Sequence, residues 1–192
     1  MTADLSRLLN ALGLVAVDTV LVLAFADQLW FRDLPCPICI LQRAGFIAAG
    51  FGIALNLIFG PRPSHYGLAI LGAMVGGIMS ADQVLHYIVP GTGSYGNAVF
   101  GLHLYTWALI GFVLIVVGCA AMLLFDRQYE PSGPIPLREV TLPLLAVALL
   151  GLLAVANVVS TLAICGVGLC PEAPGGYLIF HENLGLAQIK SS

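Results

Sequence analysis

Of 192 residues, 59% are hydrophobic and only 9% are charged, and the net charge is -3. An ordinary soluble domain carries about 25% charged residues, so this chain cannot cover a water-facing surface and falls in the membrane class. Its seven Lys and Arg are scattered singly, which argues against nucleic acid as a partner and leaves membrane lipid as the surrounding medium.

A helix needs about 20 mostly apolar residues to cross the hydrocarbon core. The first stretch that qualifies is 9–31. Arg7, the apolar run from Leu8 to Leu23 and the triplet Ala24-Phe25-Ala26 have the pattern of a secretory signal. The run continues to Trp30 and Phe31, however, so a retained first span is expected. Further spans are expected at 40–59, 66–89, 102–125 and 141–164, separated by breaks at 32–39, 60–65, 90–101 and 126–140. A tail, 165–192, follows, in which 177–189 alternates apolar and polar groups and suits the membrane surface. No repeat or second domain is legible. The expectation is an all-α, polytopic membrane bundle forming one domain over 1–192.

Orientation follows from the basic residues. A cytoplasmic N-terminus puts Arg7, Arg62, Arg127 and Arg138 inside and Arg32, Arg43 and Lys190 outside. With five spans, the first break and the tail then share the outer face, where disulfides persist.

That shared face carries the chemistry. Cys36-Pro37-Ile38-Cys39 lies in the first break, and Cys165 and Cys170 follow the fifth span. In a CxxC motif the sulfurs are close, and one thiol is commonly acidic enough to exist as the reactive thiolate. Pro35 and Pro37 stiffen the entry to the second span, and Cys39 falls near that helix's positive N-terminus. Arg43 follows one turn later on the same helix face, where its charge favours a thiolate. An exposed or lumen-facing Arg43 that contributes little to packing is expected. Gly166 and Gly168 permit a turn tight enough to bring the Cα atoms of Cys165 and Cys170 within about 6 Å. Cys119, in a small apolar stretch of the fourth span, reads as a packing residue. Two alternatives use the same cysteines. Four thiolates suit a structural zinc site, and two permanent disulfides suit a non-enzymatic membrane subunit.

Cys36-Pro-Ile-Cys39 followed by Ile40-Leu41-Gln42-Arg43, opening the second span, resembles the DsbB family of bacterial inner-membrane proteins. Gly101-Leu102-His103-Leu104-Tyr105-Thr106-Trp107 is similar to that family's Gly-Leu…Trp segment. The resemblance covers the first four spans and implies a four-helix core, here with a fifth transmembrane helix added. It implies a quinone-reducing protein-disulfide oxidoreductase that reoxidises a periplasmic thioredoxin-fold, DsbA-like protein, with ubiquinone or menaquinone as cofactor. It also implies that Cys36 and Cys39 form the quinone-coupled disulfide, Cys39 as the thiolate facing quinone and Cys36 exchanging with the second pair. Cys165 and Cys170 would then accept electrons from the partner, and Arg43 would stabilise the thiolate and the reduced quinone.

His86 occupies a place similar to a family histidine near the quinone. His103 and Trp107 lie at the same level; for Trp107 an interface anchor is the simpler reading. The family usually carries its second cysteine pair between the third and fourth spans, but here 90–101 has none, so the chain looks like a five-span variant. A vitamin K epoxide reductase-like enzyme shares this chemistry but places its CxxC late in the bundle. Asp18 and Asp82 are acids inside spans; a bundle partner such as Asn56 or Asn157 is expected for Asp18.

Overall fold

The computed structural model describes residues 2–129, 137–166, 168, 170 and 176–178. Among these residues five α-helices form: α1 (Ala3–Trp30), α2 (Pro37–Phe59), α3 (Pro63–Tyr87), α4 (Leu104–Leu123) and α5 (Leu137–Cys165). All five are long and apolar enough to cross a bilayer, which makes the chain an all-α multi-pass membrane protein. A 3-10 turn, Asp126–Tyr129, follows α4, and a short hairpin pairs β1 (Ala98–Val99) with β2 (Leu102–His103) just before it.

Local chemistry sets the helix starts. The Thr2 side chain accepts from the Leu5 amide, so α1 begins at Ala3 and not at the first wholly apolar residue. Pro37 and Pro63 occupy first turns, where a missing N–H costs nothing. Arg32, just after α1, takes a positive φ of 56° and turns the chain toward the first cysteine pair.

Helix α2 is the centre of the bundle, touching α1, α3 and α5, while α4 packs mainly on α3. Helix α5 lies against α1 and α2, so it joins the four-helix core directly. The α2–α3 contact is close because it is made of small residues: a Cβ built on Gly45 would lie 2.6 Å from the Gly76 Cα. Lipid offers no hydrophobic drive between helices, and such backbone approach supplies dispersion contact instead. Leu14, Leu21, Ile53, Tyr66 and Leu150 fill the core, and Phe46 stacks on Phe112 at 3.9 Å. Cys119 is buried there as a free thiol.

A polar cluster closes the end that holds the α1 start. Asn10 donates to the Tyr66 hydroxyl at 2.7 Å and Asn56 donates to Asn10 at 3.0 Å. Ser6 and Tyr66 both donate to Gln128 Oε1. The expected pairing of Asp18 does not occur. Asn56 is taken by Asn10 and the Arg62 amide, and both Asp18 carboxyl oxygens, like Asn157 Oδ1, are buried without a partner among the described residues. Asp18 borders a cavity of about 280 Å³ between α1 and α5. Asp82 is exposed. Apart from Tyr177 and Leu178, the alternating segment 177–189 and Lys190 lie outside the described residues.

Candidate active site

Cys36 is the N-cap of α2, with Pro37 in the first turn, so the motif is held at the positive end of a helix. Cys36 and Cys39 form a disulfide with a Cα separation of 5.0 Å. The Cys39 amide donates to Cys36 Sγ at 3.1 Å. A second donor comes from α3: Gln83 Nε2 lies 3.7 Å from Cys36 Sγ and 4.0 Å from Cys39 Sγ. The Gln83 carbonyl oxygen in turn accepts from Gln42 Nε2 at 2.9 Å. Cys36 is 6% exposed, whereas Cys39 is half-buried and is the more open sulfur.

Arg43 is not exposed, which corrects the expectation for a charge near a helix start. It is 8% exposed, donates to Gln28 Oε1 at 2.6 Å and to the Ala24 carbonyl at 2.8 Å, and lies 4.7 Å from the Phe25 ring centroid. The physical reason is that α1 offers two acceptors and an aromatic face one turn below the motif. Gln28 extends the link by donating to Ser160 of α5 at 2.9 Å and to the Tyr177 hydroxyl at 3.2 Å.

The second pair closes the far end of α5. Cys165 is its last residue, Gly166 takes a φ of 63°, and Cys165 and Cys170 are bonded with a Cα separation of 4.5 Å. Ile164 and Cys165 pack with Ile40, the residue after Cys39, and Leu34, Cys170 and Tyr177 join that cluster. The second disulfide thus lies in an apolar cluster with the residue that follows the first, at the same end of the bundle. Cys165 is 4% exposed and Cys170 is half-buried.

His86 is exposed at the end of α3, edge-on to Tyr87 at 4.9 Å. Tyr87 meets Tyr105 at 5.6 Å, and Tyr105 stacks on His103 at 5.3 Å. The four rings therefore link the ends of α3 and α4, starting one turn beyond Gln83. His103 Nδ1 is buried without a partner among the described residues. Trp107 stands apart from these ring contacts and donates to the Val99 carbonyl at 3.0 Å, which ties the hairpin to α4. The loop before the hairpin covers the CxxC approach: Tyr95 donates to the Leu34 carbonyl at 2.6 Å and Asn97 to Asp27 at 3.2 Å. Burial beside Asp27 raises the Asp33 carboxyl above its ordinary value, with partial relief from the Asn97 amide. Burial also raises the Tyr95 phenol.

Gln28, Gln42 and Gln83 are the residues that sequence reading passed over. A usable signal was present: a glutamine in a membrane span needs a hydrogen-bond partner, and all four glutamines among the described residues are buried.

Residues 6–92 match the family model described as Disulfide bond formation protein DsbB. The chain is 29% identical to disulfide bond formation protein B of Marinobacter nauticus over 163 residues, covering 66% of this chain and 95% of the relative. No solved structure matches.

Proposed function

We propose, from the match of residues 6–92 to the DsbB family model and the likeness to a disulfide bond formation protein B, that this chain is a disulfide-bond-forming membrane protein of the DsbB family, a quinone-coupled thiol oxidase of the bacterial inner membrane that reoxidises a periplasmic DsbA-like protein. The observation that carries this reading is that the second disulfide packs in a cluster with Ile40, the residue that follows Cys39 on α2, so both pairs lie at one end of the bundle. Thiol–disulfide exchange requires such adjacency. A zinc site would need four free thiolates converging on one point, whereas these sulfurs are tied two and two.

The entry point follows from access, and Cys39 as the sulfur that leaves is what the family resemblance implies. A partner thiolate attacks Cys170, the more open tail sulfur, and Cys165 leaves as a thiolate. Cys165 attacks Cys36, and Cys39 leaves as a thiolate. The partner's second thiol then resolves its bond to Cys170, which frees oxidised partner. Cys170 next attacks Cys165 and restores the tail disulfide, leaving Cys36 and Cys39 reduced. Each step breaks one S–S bond and makes another.

A bound quinone supplies an acceptor for the two electrons and two protons of that dithiol. The residues fit such a group, because His103 Nδ1 lacks a partner beside stacked rings. His103 and His86 would hold the head group, with Trp107 anchoring the hairpin beside it. Arg43 places a buried positive charge one turn below Cys39, which favours an anion there.

The test is quinone reduction by purified protein with a reduced DsbA-like donor. Catalytic bleaching of ubiquinone or menaquinone together with oxidation of the donor is expected. A donor that stays reduced in the presence of folded protein and either quinone would sink the reading.

A further inference from the structure

We propose that Gln83 is a catalytic residue, donating from its side-chain amide to whichever sulfur of the Cys36–Cys39 pair carries negative charge, and that Gln42 is the positioning residue that points this amide at the sulfurs. The inference rests on the reading of Cys36–Cys39 as a redox pair and adds the group that stabilises its reduced form.

Four observations carry it. Gln83 is 3% exposed, so its amide must find partners inside the protein. Its Nε2 lies 3.7 Å and 4.0 Å from the two sulfurs, so one NH₂ group spans the bond that breaks. Its Oε1 is already occupied by Gln42 at 2.9 Å, which leaves only donors to face the sulfurs. Gln42 lies on α2 three residues after Cys39, so the helix that presents the sulfurs also orients their donor. No charge is brought into the span by this arrangement, which suits a site in the membrane.

The chemistry is specific to the reduced state. A disulfide sulfur is a weak acceptor and gains little from an amide. When an incoming thiolate bonds to one sulfur, the other leaves with the electron pair, and a hydrogen bond to an anion is about twice as strong as one between neutral groups. Gln83 therefore lowers the energy of the thiolate more than that of the disulfide and makes the pair a better oxidant. Arg43 cannot substitute directly, because its described hydrogen bonds go to Gln28 and Ala24 of α1.

The experiment uses the full chain in lipid nanodiscs. Peptide-resolved alkylation of reduced Cys36 and Cys39 is followed against pH, and the pair is equilibrated with a dithiothreitol redox buffer. Gln83→Leu should raise the alkylation midpoint by about one pH unit, which is about tenfold in thiolate at a fixed pH below it. The reduced fraction in the buffer should fall by a similar factor. Gln42→Leu should shift both in the same direction by less and add nothing to Gln83→Leu, because both act through one amide.

The other titratable or charged groups near that end of the packed elements are Asp27, Arg32, Asp33, Arg43, Asp82, His86, Tyr87, Tyr95 and Tyr177. They are unchanged in the Leu variants, so a shift there reports the amide. Should Gln83→Leu fail to fold, Gln83→Glu keeps the size and places a carboxyl at the sulfurs; it should raise the midpoint at least as far. Wild-type midpoints and buffer equilibrium in any folded Gln83 variant would overturn the proposal. The alkylation midpoint needs no turnover, so it separates this outcome from a failure of the wild type to reduce quinone, which would overturn the redox reading instead.

Discussion

The two disulfides lie at one end of the bundle, linked through Ile40, yet they sit in opposite environments. Cys36–Cys39 opens a helix, and donors from its own backbone and from Gln83 converge on it. Cys165–Cys170 closes a helix, at the negative end of its dipole, inside a cluster of Ile40, Ile164 and Leu34. A helix start stabilises a thiolate and a helix end does not, so electrons left on the tail pair lie uphill of electrons left on the CxxC pair. The difference teaches direction: the tail pair is suited to passing reducing equivalents on, and the first pair to holding them.

The sharpest way to break that comparison is to remove the holding sulfur. Cys39→Ser leaves no disulfide at the start of α2. Quinone reduction should fall by on the order of a thousandfold or more with any donor, as expected when a nucleophile is lost. Residual turnover above that level, followed by quinone absorbance, would show that the tail pair reaches the acceptor without the first.

Removing the tail pair should divide the donors. Cys165→Ser with Cys170→Ser should abolish oxidation of a folded thioredoxin-type partner. Turnover with a small dithiol should stay within about threefold, because a small molecule reaches the half-buried Cys39 and a folded domain does not. Full turnover with the protein donor would make the second bond a staple that fastens the tail to Ile40. A trapped mixed disulfide should involve Cys170, the more open sulfur, and not the buried Cys165.

Arg43→Ala tests the link between the pairs. Arg43 bonds α2 to α1 at Gln28, and Gln28 bonds Ser160 of the helix that ends in Cys165. Its loss should cost stability, about 1–3 kcal/mol for the hydrogen bonds it leaves unmade, and lower quinone reduction by about tenfold. Arg43→Lys should recover part of both, since an ammonium lacks the planar fork that serves two acceptors. Thermal unfolding in detergent and quinone kinetics check the two effects separately.

Much of the cysteine-bearing end is legible in the sequence. The span count follows from apolar run length, and the CxxC at a helix start from the prolines at 35 and 37. The turn at Gly166 follows from its freedom at positive φ. Partner choice inside the bundle was not legible. Arg43 faces α1, and Gln83 reaches across from α3; both depend on which helices pack together, and α5 against α1 and α2 is set by tertiary contact alone. Asp18 shows the limit most plainly. An acid in a span calls for a partner, but the asparagine nearest to expectation, Asn56, was already held by Asn10.

The smallest predicted effect concerns the loop that carries the first pair and uses the tail end of α5 as its reference. Burial and the negative charge of Asp27 raise the Asp33 carboxyl above its ordinary value of 3.8, and the Asn97 amide offsets part of this. A carboxyl raised on folding favours the folded loop when protonated. Its stabilising contribution is complete below the unfolded pKa and is lost as pH rises through the folded one. Protection of the amides at 32–36 and 95–97, corrected for intrinsic exchange rates, should therefore decline as pH climbs from below 3.8 through the raised value. Asp33→Asn should flatten that decline, because the amide still accepts from Asn97 and never ionises. Residues 162–166, beside the second disulfide, should show no matching change. Hydrogen exchange read by mass spectrometry gives all three segments in one experiment. A decline that persists in Asp33→Asn, or one shared equally by 162–166, would mean that the two disulfide regions open together and that pH does not act on the first alone.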